Sequence, residues 1–270
     1  MGKKRKLIMK VLILGHQGML GNVAHKYFSE NHEVEIVDYN LRWDSDEFKK
    51  AVLESDAEFV INGIGAISQK KFGDDYFEFL NVKLPEFLET TGKKIIHPST
   101  DCIFSGSLEP PKKYGKDDER DAYDVYGKSK AKIDKMIVDG FENTKMIRAS
   151  IIGHELQGHV SLIDWFLGTD DDAELNGYNN YWWNGITTHQ WCGIAEVLMI
   201  FWDESPVVRQ LGTEGIVKAD LLRMVGRIYG KPNNINDFEM ETPLNKMLVT
   251  DYPIQPMEEQ LIELKKFYCK

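Results

Sequence analysis

The chain has 270 residues, 42% of them hydrophobic and 28% charged, and a formal net charge of −10 at pH 7. That length and apolar content suffice for one large α/β unit, or for a core with a smaller lobe. The acidic balance argues against nucleic acid and against a membrane surface, both of which are held through clustered lysine and arginine; an anionic small ligand stays open, because backbone N–H groups hold phosphate without net positive charge.

Residues 1–8, "MGKKRKLI", read as a basic N-terminal extension. The apolar run around it is broken by Lys10 and is too short for a secretory leader. No segment nears the ~20 apolar residues that span a bilayer. Cys102, Cys192 and Cys269 are scattered and odd in number, which fits a reducing compartment and a cytoplasmic protein.

From residue 9 onward, strand and helix patterns alternate. "KVLILG" reads as a buried strand, Met19 to Ser29 as a helix and "EVEIVD" as a second strand. A helix over Ser45 to Leu53 leads to the strand "EFVIN"; Phe77, Leu80, Leu84 and Leu88 then recur at helical spacing in one long amphipathic helix. "KIIHPST" is the next strand, followed by a helix over Tyr126 to Val138 and the strand "TKMIRAS". The alternation predicts an α/β fold with a Rossmann-type, doubly wound parallel sheet over residues 9–152. Beyond it the rhythm weakens. "HVSLIDWFL" looks helical, "ELNGYNNYWWNG" is turn-rich and aromatic, and "TTHQWCGIAEVLMIFW" is an apolar helix behind a hydroxyl cap. Further helices are expected near Lys218 to Tyr229 and Met257 to Phe267. Residues 153–270 are read mainly as a substrate-binding lobe, with some segments returning to the sheet.

"VLILGHQGMLGN" places Gly15, Gly18 and Gly21 at intervals of three between a strand and a helix. Missing side chains let backbone N–H groups approach a pyrophosphate, and the helix N-terminus faces its charge. Gly15, Gln17, Gly18, Met19, Leu20 and Gly21 are therefore the expected dinucleotide contacts. Asp38 ends the second strand, where a carboxylate binds adenosine ribose hydroxyls and repels a 2′-phosphate, favouring NADH. Arg42 follows closely and could pair with that phosphate, so the cofactor is NADPH or NADH.

In "YGKSK", Tyr126 and Lys130 are four apart and share a helix face, with Ile133 and Ile137 continuing the stripe into the core. A free tyrosine has a pKa of about 10. A nearby ammonium lowers it and makes the phenol a usable proton donor to a nascent alkoxide. In "STDCIFSG", Thr100 ends a strand where open sheets place ligands, and its hydroxyl can hold a carbonyl oxygen beside the phenol. In extended backbone Cys102, two residues on, projects to the same side and faces the same substrate. "HELQGH" spaces its histidines five apart, ~140° around a helix, so no metal site is expected.

Taken in order, "GHQGMLG", "VINGIGA", "FLNVKLPEFL", "STDCIFSG", "YGKSK", "IRASIIG" and "NGITT" resemble the extended short-chain dehydrogenase/reductase superfamily. Within it they are most similar to the dTDP-4-dehydrorhamnose reductase family, over most of the first 190 residues or so. The resemblance implies NAD(P)H-dependent reduction of the C4 ketone of a dTDP- or UDP-linked 4-keto-6-deoxyhexose in deoxysugar biosynthesis. Carried onto this chain, Tyr126 protonates the C4 oxygen and Thr100 polarises the ketone. Lys130 binds the nicotinamide ribose and depresses the tyrosine pKa. Gly15, Gly18 and Gly21 hold the pyrophosphate, while Asn62, Gly63 and Asn81 line or brace the cofactor site.

The family usually carries tyrosine at the position of Cys102. A cysteine there is similar to the pattern of GDP-fucose synthase and the plant-type rhamnose synthases, which gives the alternative of a bifunctional 3,5-epimerase/4-reductase. Cys102 would be one acid/base group, with His159 the second and His154 in reserve. Trp165 and Trp183, in an aromatic set with Tyr178, Tyr181 and Trp182, are candidates to stack on the substrate. Arg209, Lys218, Arg223 and Arg227 are the cations available to its diphosphate. The regulatory subunit of methionine adenosyltransferase resembles the same family, so a non-catalytic NAD(P)-binding subunit is a further alternative. A homodimer is compatible with the chain.

Overall fold

In the computed structural model, which describes residues 7–38, 40–67, 73–158, 160–232 and 234–269, β1 (Lys10–Leu14) buries four successive side chains. A strand covered on both faces has this pattern. The first half continues with α1 (Met19–Ser29), β2 (Glu33–Ile36), α2 (Asp46–Glu54), β3 (Phe59–Asn62), α3 (Asp74–Glu78), α4 (Leu84–Glu89), β4 (Lys94–Ser99), α5 (Val125–Gly140) and β5 (Thr144–Arg148). Then come β6 (Ile151–Ile152), α6 (Leu162–Leu167), β7 (Glu174–Tyr178), β8 (Tyr181–Trp183), β9 (Ile186–Thr187), α7 (Thr188–Ile200) and β10 (Val208–Gln210). The chain closes with β11 (Ile216–Val217), α8 (Lys218–Tyr229), β12 (Asn234–Phe238), β13 (Leu244–Asn245) and α9 (Met257–Tyr268). The basic residues 1–6 lie outside the described residues.

The main sheet has the order β10-β5-β4-β3-β1-β2, and every pairing in it is parallel. Alternate residues of β1 feed opposite faces. Val11 and Ile13 pack with Phe28 of α1 and with Trp191, Ala195 and Leu198 of α7. Leu12 and Leu14 pack with Phe48 and Val52 of α2 and with Leu84 and Leu88 of α4. Each such side chain, fully buried, contributes roughly 1.5–3 kcal/mol. Strand order reverses at β1 and β3, and an open sheet binds ligands in the crevice beyond that point. No helix among the described residues is long and apolar enough to cross a membrane.

Two segments differ from their sequence reading. The amphipathic run expected as one helix is α3 and α4 joined by a wider turn over Phe79–Lys83, which swings Asn81 inward. The stretch expected as turn-rich is two strands, with β8 paired to β11 and β13 and β7 paired to β12. These small sheets and α6, α8 and α9 enclose a second core containing Phe166, Trp183, Leu221, Val225 and Leu261.

α5 is pinned to the sheet by charge. Asp134 is fully buried and accepts from Arg148 Nη2 at 2.6 Å and Arg148 Nε at 3.0 Å. It also accepts from Arg120 Nε at 2.7 Å and from the Ser99 hydroxyl at 2.6 Å. Burial alone would raise its pKa; the Arg148 charge and the hydrogen bonds from Arg148, Ser99 and Arg120 outweigh it and hold the carboxyl below its ordinary value. A folded pKa below the unfolded ~3.9 means stabilisation present above that pH and lost as pH falls through the folded value. Asp134→Ala strands a buried guanidinium, so its unfolding free energy in urea at neutral pH should drop by about 3–5 kcal/mol. Wild type should converge on the variant in acid, whereas equal stability at neutral pH would show that the pair anchors nothing.

Candidate active site

The crevice beyond β1 and β3 is lined by backbone. Gly15 has φ +70, which favours glycine. A side chain on Gly21 would put its Cβ 2.0 Å from the Gly15 carbonyl oxygen, so α1 rests directly on the loop. Gly18 caps α1 with no side-chain hydrogen bond, leaving the first-turn N–H groups facing the crevice, as anion binding requires. Gly63 donates its N–H to the Leu14 carbonyl at 3.0 Å and closes the other wall. This is a cradle that fits a dinucleotide pyrophosphate. Met19 and Leu20 lie in the first turn of α1, but the Leu20 side chain is in the core, leaving its backbone for the ligand. Gln17 accepts from Gln157 at 3.1 Å.

Asp38 is exposed beyond the end of β2 and accepts from the Asn40 backbone at 2.9 Å. Arg42 forms a two-pronged pair with Asp44, both contacts at 3.0 Å. Asn62 is buried, its Oδ1 accepting from Ile64 N at 3.1 Å. Asn81 braces backbone and helix together. It accepts from Ala66 N at 2.9 Å, and its amide donates to Ser129 Oγ at 2.9 Å.

At the end of β4 the chain turns immediately. Thr100 Oγ1 accepts from Cys102 N at 3.2 Å and donates to Asp101 Oδ1 at 3.0 Å, capping a tight turn over Asp101–Ile103. The extended arrangement expected of Thr100 and Cys102 is therefore replaced by local hydroxyl capping, a usual competitor of strand backbone. Cys102 still reaches the site, its Sγ 3.6 Å from Asp101 Oδ1. The Tyr126 phenol lies close enough to Thr100 and Cys102 for both to act on its ionisation. Burial, then Cys102, push the phenol well above its ordinary pKa, and the Thr100 contact only partly offsets them. This corrects the expectation that Lys130 acidifies the phenol. Lys130 instead points into the sheet, its Nζ donating to the Pro98 carbonyl at 2.7 Å and lying 3.4 Å from His97 Nε2. Burial lowers its pKa to about 8 against the pull of Asp134 and Cys102.

The opposite wall comes from the lobe. Lys218 lies with Nζ 4.4 Å from the Trp183 ring centroid and 5.3 Å from that of Tyr181, a cation–π arrangement. Burial takes its pKa to about 8, opposed by Asp101 and then Cys102. Burial, Asp101 and Cys102 likewise raise the Tyr181 phenol. Lys246 donates to the Phe104 carbonyl from the same side.

Several candidates fall elsewhere. Trp183 is only 1% exposed, so it supports Lys218 from the lobe core and offers no face for stacking. Trp165 stands on α6, 42% exposed. His154 is committed to Asp164 at 2.6 Å and Tyr229 at 2.9 Å, which removes it as the reserve base. His159 lies outside the described residues. Arg223 pairs with Asp220 and Asp237, Arg227 with Glu258 and Arg209 with Asp251. Lys218 makes no hydrogen bond or ion pair among the described residues. Asp101, Lys246 and His97 are members of the cluster that residue spacing did not single out, whereas Tyr181 belongs to the aromatic set that it did. No group of three or more His, Cys, Asp or Glu side chains among the described residues could hold a metal ion.

A parallel sheet of this order with a glycine cradle beyond β1 is the fold of the extended short-chain dehydrogenases/reductases. More narrowly, the family profile described as RmlD substrate binding domain matches residues 9–161, and the chain belongs to that family. Comparison with curated proteins gave no match. Among solved structures, the dTDP-4-dehydrorhamnose reductase of Clostridium acetobutylicum superposes with TM-score 0.80 at 19% identity, covering 97% of this chain and 100% of that one. The Bacillus anthracis dTDP-4-dehydrorhamnose reductase, in complex with NADP, gives TM-score 0.81 at 13% identity, with 97% and 99% covered. The Thermotoga maritima UDP-glucose 4-epimerase, with UDP-glucose, gives 0.75 at 17% identity, again with 97% and 99% covered. At these identities the likeness is one of fold.

Burial and then Asp101 push the Cys102 thiol up to about 12. The thiolate is the reactive form, so at neutral pH iodoacetamide should modify the exposed Cys269 well before Cys102. Peptide mass spectrometry over a time course checks this, and equal rates would show that the Cys102 thiol is not held protonated as described.

Proposed function

We propose that the protein reduces the C4 ketone of a nucleoside-diphosphate 4-keto-6-deoxyhexose, dTDP- or UDP-linked, with NADPH or NADH. The observation that carries this reading is the meeting of Thr100, Cys102 and Tyr126 at the carboxyl end of β4, where the first two both act on the Tyr126 phenol. It stands beside a glycine cradle suited to the dinucleotide. The Bacillus anthracis reductase solved with NADP supports the choice of cofactor.

Gly15, the first-turn N–H groups behind Gly18, and Gly63 would hold the pyrophosphate, and Asp38 the adenosine ribose. The bound dinucleotide would supply a hydride to C4. Thr100 orients the ketone oxygen toward Tyr126, whose phenol is protonated in the resting site and gives its proton to the C4 oxygen as the alkoxide forms. Lys130, one helical turn along α5, would bind the nicotinamide ribose hydroxyls. Lys218, on its aromatic bed, is the cation offered to the electronegative groups of the sugar nucleotide. Tyr126→Phe should lower kcat/KM for ketosugar reduction by about 10²–10⁴-fold without weakening dinucleotide binding, measured by loss of reduced-nicotinamide absorbance. If wild type and variant are equally inert with every ketosugar offered, the protein is a binding subunit.

Cys102 favours a second reading, in which C3 and C5 are epimerised before reduction. Its sulfur lies beside Thr100, Asp101 and Tyr126, where a proton next to the ketone would be exchanged. In deuterated water the unepimerised ketosugar should gain deuterium at C3 or C5 with wild type, and Cys102→Ser should abolish the exchange while retaining reduction of the epimerised substrate. Reduction without any exchange by wild type would leave a simple reductase.

A further inference from the structure

His97 lies between Asn62 and Lys130, 2% exposed on β4. Its Nδ1 is 3.3 Å from Asn62 Nδ2, and its Nε2 is 3.4 Å from Lys130 Nζ. The orientation of the Asn62 amide is forced: Ile64 N donates to Asn62 Oδ1 at 3.1 Å, and a backbone N–H can only donate. The amide nitrogen therefore faces the ring and needs a bare Nδ1.

We propose that His97 is a positioning residue whose tautomer is locked to the charge of Lys130, so that the ring and the amine change their proton arrangement together. A neutral imidazole carries one N–H. With Nδ1 bare, the proton sits on Nε2 and faces Nζ, which can accept it only as a neutral amine. When Lys130 is an ammonium, Nε2 must be bare, the ring proton moves to Nδ1, and it then meets the Asn62 N–H donor to donor. Charging the lysine therefore costs the Asn62–His97 hydrogen bond, and the ring biases Lys130 toward the neutral amine. No net proton is gained by the ring: Lys130 takes one from solvent while the imidazole exchanges Nε2–H for Nδ1–H.

The other groups facing this unit act on it in known directions. Asp134, one turn along α5, and Cys102, on the turn after β4, favour the ammonium, whereas burial opposes it. Burial and Lys130 together keep His97 from charging. The Pro98 carbonyl accepts from Nζ at 2.7 Å and holds the amine in place. If the reductase reading is correct, the coupling sets the charge beside the reacting phenol before any ligand arrives.

The test is the ring itself. Nitrogen-15 NMR of histidine-labelled, ligand-free protein between about pH 6 and 10 reads which ring nitrogen carries the proton. His97 should pass from Nδ1–H at low pH to Nε2–H at high pH, with a midpoint near the Lys130 value of about 8 and no imidazolium in that range. Lys130→Met should fix the ring as Nε2–H at every pH, and Lys130→Arg, permanently charged, should fix it as Nδ1–H. A wild-type ring that keeps one tautomer throughout, or a transition that survives in Lys130→Met, overturns the proposal. Should either variant fail to fold, the wild-type titration still decides. A catalytically inert protein with the tautomer change intact would refute the reductase reading and leave the coupling standing.

Discussion

Asp134 sits on the face of α5 turned toward the sheet, four residues beyond Lys130, and its two oxygens are shared among Ser99 of β4, Arg148 of β5 and Arg120. An unpaired carboxylate in this place would be expelled or neutralised, and an unpaired guanidinium would be no better. The pair is satisfied only when α5 lies in one register over β4 and β5. That register places Tyr126 against Thr100 and Lys130 against His97 and Pro98. The distances at the reacting end thus follow from a charge constraint a full turn away.

The same economy of placement governs the crevice. α1 approaches β1 and β3 closely because Gly63 presents no side chain to the backbone of Gly21, and Gly21 none to that of Gly15, and Asn81, swung inward by the wide turn, ties the loop after β3 to Ser129 on α5. Cradle and phenol are therefore held in one frame. The lobe contributes from the far side with Lys218 and Tyr181, carried on segments packed around Trp183.

The sheet is legible in the sequence because strands covered on both faces are unbroken apolar runs, and because a glycine triplet between strand and helix has few other uses. The helix bearing Tyr126 and Lys130 is legible for the same kind of local reason. What the sequence hides depends on distant partners. Arg209, Lys218, Arg223 and Arg227 look alike along the chain, and only the positions of Asp251, Asp220, Asp237 and Glu258 decide which stays unpaired. Trp183 disappears into a core assembled from α6, α8 and α9, each far away in sequence. The Thr100 turn hides for the opposite reason: its cause is local, a hydroxyl preferring the Cys102 N–H, but a run of strand-forming residues masks it. The tyrosine's acidity goes astray because burial, a property of the whole fold, raises the phenol, while the lysine that spacing suggests is drawn to the Pro98 carbonyl.

The sheet's outermost strand on the β5 side, β10, and the helix covering α1, α7, both come from the second half of the chain. A fragment ending near residue 161, where the family profile stops, would bare the flank of α1 that Trp191, Ala195 and Leu198 cover and leave β5 as an open edge. Exposed apolar flanks and unpaired edges both recruit other chains. Such a fragment would aggregate sooner than fold, so the limit of sequence similarity within this protein marks no natural place to divide it.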